Sequence, residues 1–385
     1  MTATPLAPLK IGMLLPYNES SIGVDIGLNQ KRAADLYLKR QGGKLAGRAV
    51  SLVYSSESVE AAINKVKMKT LVDTENVDVL MGGAAADTAY VIRDAAEAAK
   101  RVYIDTNATA NALTRSVPDC KPSCKSKYVF RTSATSWQLS QPLGAWASKN
   151  GLKDFYVCCV DETFGIESAD AFEAGLATNG GKATDRSAVP NGGDWSKVVP
   201  IIKAQSTRNV FAAFHTDDAE GFLKAWDDNG MRDAGYTLYG PGLLTEQEVL
   251  NQTKSAAQGT VTAHFWTTEL GNAENKTLVD VFPQEYKDDE TGAPVSLNGY
   301  AVQMWDAMTA LDEALKQTNG STRDSDALIA ALEHVSFKSP RGVFAFDPAS
   351  HNPTQDIYIR EVTASNGHLV NAVRDKLPSV ADPAS

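Results

Sequence analysis

Short apolar runs alternate with amphipathic segments as far as Tyr239, and this restricts the fold more than any other feature of the chain. Strand-like runs occupy 10–15, 50–54, 77–81, 102–105, 154–160, 209–214 and 237–239. Helical periodicity marks 30–40, 59–72, 90–100, 139–149, 168–179, 196–205 and 219–229. Strands separated by helices of this length predict βαβ units and parallel sheets. The runs are apolar on both faces, as strands covered on both sides by helices must be. The order also occurs twice. "VDVLMGGAAADTAYVIRDAAEAAKRVYID" and "RNVFAAFHTDDAEGFLKAWDDNGMRDAGYTLYGPG" each run strand, small-residue loop, acidic helix start, helix, strand. The reading is α/β, with two Rossmann-like lobes, each an open parallel sheet.

Such sheets bind ligands outside the C-terminal strand ends, where the strand order reverses. Two facing lobes would place the cleft between "GGAAAD" and "FHTDD". Chain crossings are expected near 132–136, near Thr262 and in "RGVFAFDPASHNPTQDIYIREV". They predict lobe 1 as 1–132 plus 263–341 and lobe 2 as 133–262 plus 342–385, joined by a three-crossing hinge. Val302, Trp305, Met308, Leu311 and Leu315 stand at helical spacing and read as a core stripe. At 385 residues and 43% hydrophobic, the chain is long and apolar enough for two cores.

Composition excludes some functions. A net charge of -10, from 47 acids and 37 bases, argues against nucleic acid or an anionic membrane surface as partner. No apolar run approaches the ~20 residues of a membrane span. The start lacks the charged and apolar regions of a signal peptide, so the expectation is a cytoplasmic chain or a mature one whose leader has been removed. Cys120 and Cys124, four apart in a polar loop, suit a small disulfide or stand as two thiols; Cys158 and Cys159 read as strand packing.

The Gly-rich turn at 82–83 matches neither a dinucleotide fingerprint nor a Walker loop, so no nucleotide cofactor is expected. Asp87 reads as the N-cap of the following helix, with the amides of Ala84, Ala85 and Ala86 open to a small carboxylate. His215, Asp217 and Asp218 read as a contact residue followed by a cap, not a metal site. Asp161 and Glu162 are adjacent and do not face each other across a scissile bond. No nucleophile elbow is present. No catalytic residue, metal or cofactor is predicted, and binding is favoured over catalysis.

On "LKIGMLLPYNESSIGVDIGLNQKRAADLYL", "DVLMGGAAADTAYVIRDAAE", "YIDTNATANALT", "YVFRTSATSWQLSQPLGAWA", "VDETFG" and "LYGPGLL", the chain resembles the periplasmic substrate-binding proteins of ABC transporters for branched-chain amino acids and related ligands. The resemblance covers nearly the whole chain. It implies a type I periplasmic-binding fold, a periplasmic location, a membrane permease as partner and no catalysis; a monomer is expected. In the family's amino-acid binders, a hydroxyl ending the first-lobe loop and a Thr take the ligand carboxylate. These positions fall on Ala86 and Thr109, so the first hydroxyl is lost. The family's aromatics fall on Phe164 and His215, and its ammonium-pairing acid falls on Gly242. Ile22, Ala85, Asp87, Asn107, Trp137 and Phe265 complete the candidate set.

The missing acid at 242 argues against an α-amino acid unless Asp87 or Asp217 substitutes, because a buried ammonium needs a counter-charge. Phe164, His215, Trp137 and Phe265 instead suggest an aromatic-lined cleft, with His215, Thr109 and backbone amides for a carboxylate. Trp137 and Phe265 also suit hinge packing, for Trp137 as readily as ligand contact. The expected ligand is an aromatic acid of benzoate or phenylpropanoid type. A branched-chain amino acid or amide ligand, and a cytoplasmic α/β enzyme or sensor domain, stay open as alternatives.

Overall fold

In the computed structural model, the described residues are 6–18, 23–116, 125–288, 291–365 and 367–383. The chain divides into a first unit of Met1–Ala134, Thr277–Thr354 and Ala381–Ser385 and a second of Thr135–Lys276 and Gln355–Val380.

The first unit begins with β1 (Leu9–Leu15), β2 (Lys44–Leu45), β3 (Arg48–Ser56), β4 (Val79–Gly82), β5 (Tyr103–Asp105) and β6 (Val129–Arg131). They form one sheet in the order β2-β3-β1-β4-β5-β6, parallel except for the β2–β3 hairpin. Ile11, Met13, Leu15, Val79, Met81 and Ile104 are buried, as expected for central strands sandwiched between helices. The predicted stripe lies on the helix Gly299–Gln317. Val302, Met308, Leu311 and Leu315 are buried, while Trp305 is half-buried with its ring edge-on to Tyr37 at 4.9 Å.

The second unit continues with β7 (Asp154–Val160), β8 (Lys182–Val189), β9 (Asn209–Ala213), β10 (Thr237–Pro241) and β11 (Val261–His264). Their order is β8-β7-β9-β10-β11, all parallel. The edge strand β8, "KATDRSAV", is too polar to stand out in the sequence. Phe155, Phe172 and Phe211 form its aromatic core, with the last two stacked at 4.0 Å. The helix Ser136–Lys149 starts on a capping box: Gln138 N donates to Thr135 Oγ1 at 3.1 Å, and Thr135 N to Gln138 Oε1 at 3.3 Å.

The hairpin β12 (Ser336–Ser339) and β13 (Gly342–Phe346) belongs to the first unit. The long antiparallel pair β14 (Pro353–Ser365) and β15 (His368–Val380) completes the second unit's sheet beside β11. These units differ from the sequence-based lobes in four stretches: 133–134, 342–354 and 381–385 lie in the first unit, and 263–276 in the second. Residues 263–276 stay with the second unit because Trp266 and Thr267 bond to Asn275 and Asn371. Residues 342–354 stay with the first because Phe344 and Phe346 pack with Phe337 and Phe130. Asp382 returns to the first unit, where Arg115 binds it bidentately at 2.6 Å.

Candidate functional site

In the first sheet the order reverses at β1, which has β3 on one side and β4 on the other. The segments past β3, β4 and β5 meet beside it. Gly82 and Gly83 have φ of 115° and 84°, and a Cβ on Gly83 would stand 2.6 Å from the Tyr103 hydroxyl. The glycines are therefore demanded by backbone conformation and by Tyr103, not by a phosphate. Tyr103 donates to Gly82 O and to Asp105 Oδ1. Arg131, fully buried, donates to Ala108 O and Ala110 O at 3.0 Å each and lies 3.6 Å from Asp105. These bonds hold the β5 loop, on which Asn107 is buried and Thr109 half-buried. Asn107 Nδ2 donates to Ala84 O at 3.2 Å and joins the β4 and β5 loops.

Two expectations for this unit are corrected. The helix is Ala86–Ala99 with Ala85 as N-cap, and Asp87 lies exposed in its first turn rather than capping it. The amides of Ala84 and Ala85 are not open to a ligand carboxylate. They donate to Glu57, just past β3, at 2.9 and 3.3 Å. Nothing in the sequence singled out Glu57, because it lies 27 residues from Ala84. Ile22 lies outside the described residues.

Glu57 is 5% exposed. Burial drives its pKa up from the ordinary 4.5 to about 7; the Ala84 amide, Thr88 and the Ala85 amide oppose this, and Asp105 adds to it. The folded chain thus holds an extra proton across that window, and stability falls as pH rises through it. Glu57→Gln, which does not ionise, is expected to remove roughly 2–3 kcal/mol of that fall. The measurement is urea unfolding of both proteins at the two ends of the window; parallel falls would refute the assignment.

In the second sheet the order reverses at β7, between β8 and β9. Glu162 lies past β7 and His215 past β9, and His215 Nε2 stands 2.5 Å from Glu162 Oε1. His215 Nδ1 is 3.2 Å from Thr216 Oγ1, and Phe164 meets the imidazole edge-on at 5.1 Å. Both imidazole nitrogens thus have partners within the second unit. Burial tends to raise the Glu162 pKa, but the hydrogen bond and charge of His215, with Asn191, bring it below its ordinary value.

Gly242 follows β10. A Cβ there would lie 2.2 Å from the His264 ring, so position 242 has no room for an acid. His264 and Glu246, each 2% exposed, approach to 2.6 Å. Arg360, fully buried, donates to Gly242 O, Thr245 Oγ1, Trp266 O and Thr262 Oγ1. Phe265 is buried, its ring 4.1 Å from that of His264. Trp137 is half-buried in the first turn of its helix. Asp217 is exposed.

Among the described residues no group of three or more His, Cys, Asp or Glu could hold a metal, and no helix is long and apolar enough to cross a membrane. Cys158 and Cys159 are buried and free; Cys120 and Cys124 lie outside the described residues. A groove of about 690 Å³ lies between the helices Ala61–Lys69 and Ala86–Ala99 in the first unit. It meets the second helix from Val91 onward, beyond the Ala84–Ala86 turn.

Two open sheets with polar loops at their switch points, joined in the second unit by the Phe164–His215 pair, define a ligand-binding α/β protein. The family model for periplasmic binding proteins matches residues 8–368. The chain belongs to that family and has the type I fold; its members are solute receptors, not enzymes. It is 28% identical over 379 residues to Leu/Ile/Val-binding protein homolog 6 of Brucella suis biovar 1 (strain 1330), across 97% of this chain and 93% of the relative. A solute-binding protein of an ABC transporter from Rhodopseudomonas palustris BisB5, in complex with 3,4-dihydroxybenzoic acid, superimposes with a TM-score of 0.88 at 27% identity. It covers 98% of this chain and 99% of that one. Another from R. palustris, in complex with benzoate, gives 0.86 at 29% identity with the same coverage.

Proposed function

We propose that the chain is the periplasmic receptor of an ABC importer, a monomer that binds a small aromatic carboxylate at its strand-end loops and delivers it to a membrane permease. The observation that carries the ligand class is the similarity, over essentially the full length, to receptors solved with benzoate and 3,4-dihydroxybenzoate. Position 242 supports it: the His264 ring fills the space that an ammonium-pairing acid would need. The ligand surface in this reading is made of strand-end loops: Ala85–Asp87, Asn107 and Thr109 in the first unit, and Phe164, His215 and Gly242 in the second. Phe164 offers a ring edge to an aromatic guest. Trp137 and Phe265 belong to the same reading as packing at its margin.

The Brucella relative's name favours a second reading, a branched-chain amino acid. Isothermal titration with 4-hydroxybenzoate and with leucine separates the two. Saturable heat with the aromatic acid and none with leucine is expected; tight leucine binding would overturn the choice.

A further inference from the structure

A carboxylate ligand would be expected to seek the backbone amides before the helix Ala86–Ala99, and in this chain a side chain already holds two of them. Glu57 Oε2 accepts from Ala84 N at 2.9 Å and Oε1 from Ala85 N at 3.3 Å. The placement is built rather than incidental. Glu57 N donates to Leu15 O at 2.7 Å, across the end of β1. Asn64, fully buried, takes Ser58 N at 2.8 Å and returns a bond to Ser58 O at 2.8 Å, which fixes the chain one residue beyond Glu57. The same Asn64 donates at 3.0 Å to Thr88 Oγ1, and Thr88 hydrogen-bonds the Glu57 carboxyl. Three segments far apart in sequence thus hold one carboxyl against one turn.

We propose that Glu57 is a specificity-determining residue that takes the place of a ligand carboxylate on the amides of Ala84 and Ala85, so that the ligand end reaching this turn is uncharged, such as a ring hydroxyl. This rests on the aromatic-acid reading and deepens it. The side chain fills the two amides whether or not it carries its proton. When ionised, it also sets a negative charge against any anion brought to the turn. Asn107 and Thr109 supply neutral hydrogen-bonding groups beside it, suited to a hydroxyl.

Titration with 4-hydroxybenzoate and with the para-dicarboxylate terephthalate tests the proposal, with crystal structures of the complexes. The wild-type protein is expected to prefer 4-hydroxybenzoate by at least about tenfold, equivalent to ~1.4 kcal/mol. Glu57→Ala, which empties the amides, should narrow that ratio, while Glu57→Gln, which keeps the shape, should narrow it less. Equal wild-type affinities would overturn the proposal. So would a complex in which the ligand carboxylate sits on Ala84 N and Ala85 N with Glu57 displaced. If the alanine variant fails to fold, the wild-type ratio and structure still decide. If leucine alone binds, the ligand reading fails, and the same two amides in the leucine complex decide the role of Glu57 separately.

Discussion

Asp306→Ala is expected to destabilise the protein by about 3–5 kcal/mol, because it leaves a buried guanidinium without its counter-charge. Asp306 lies on the helix Gly299–Gln317 and Arg341 just before β13, and both are at most 1% exposed. Arg341 Nε donates to Asp306 Oδ2 at 2.6 Å, Ser339 Oγ donates to the same oxygen at 2.9 Å, and Arg341 Nη2 donates to Thr132 O at 2.9 Å. Thr132 lies at the end of β6, so one ion pair fastens helix, hairpin and sheet within the first unit. Burial holds the Asp306 pKa above its ordinary value despite the attraction of Arg341. Replacing both partners, as in Asp306→Leu with Arg341→Met, should cost far less than the single change, since no unpaired charge remains inside. Urea unfolding of Asp306→Leu, of Arg341→Met and of the double variant closes the cycle. Additive losses would show that the pair is not coupled.

Gly242→Ala is the second large effect, and it acts through space rather than backbone conformation. An ideal Cβ would sit 2.2 Å from His264 Cγ and Nδ1, and 2.4 Å from His264 Cβ. These atoms are close to the backbone of β11, so the ring escapes the clash only by a shift that breaks its 2.6 Å approach to Glu246 and disturbs its contact with Phe265. Overpacking of this kind costs about 1–3 kcal/mol or more. The Gly242 carbonyl also accepts from Arg360, so the strand-end loop it belongs to should move as well. The variant is expected to lose both thermal stability and affinity for 4-hydroxybenzoate. Gly242→Glu, which restores an acid at the family's position, should not confer leucine binding. A Gly242→Ala protein with unchanged melting temperature would contradict the packing seen here.

Much of the architecture is visible in the one-dimensional pattern, because periodic burial of apolar residues is a local property. The run at 154–160 coincides with β7, and those at 10–15 and 209–214 fall within a residue of β1 and β9. Misplaced helix starts have a local cause too. The helix Val24–Arg40 opens on Val-Asp-Ile-Gly after a left-handed Gly23, with no side-chain cap to announce it. Asp87 looked like a cap by residue type alone, but the backbone turns into helix one residue earlier, at Ala86. β8 escaped notice because an edge strand with one solvated side needs no apolar run.

The candidate site divides along the same line. Strand-end loops are where an open parallel sheet presents ligands, so "GGAAAD" and "FHTDD" could be picked out from order alone, while Thr109 and Phe164 were pointed to by the family resemblance. What those loops do was decided by pairings that sequence separation conceals. Glu57 reaches the Ala84 and Ala85 amides over 27 and 28 residues, Glu162 meets His215 over 53, and His264 fills the space above Gly242. The alternation of apolar and amphipathic segments was enough to determine the α/β class and where its loops fall, since each element buries its own periodic face. Only the tertiary structure decided which amides, imidazole nitrogens and cavities the loops leave to a guest, because hydrogen-bond partners and excluded volume depend on distances that exist only after the strands have paired.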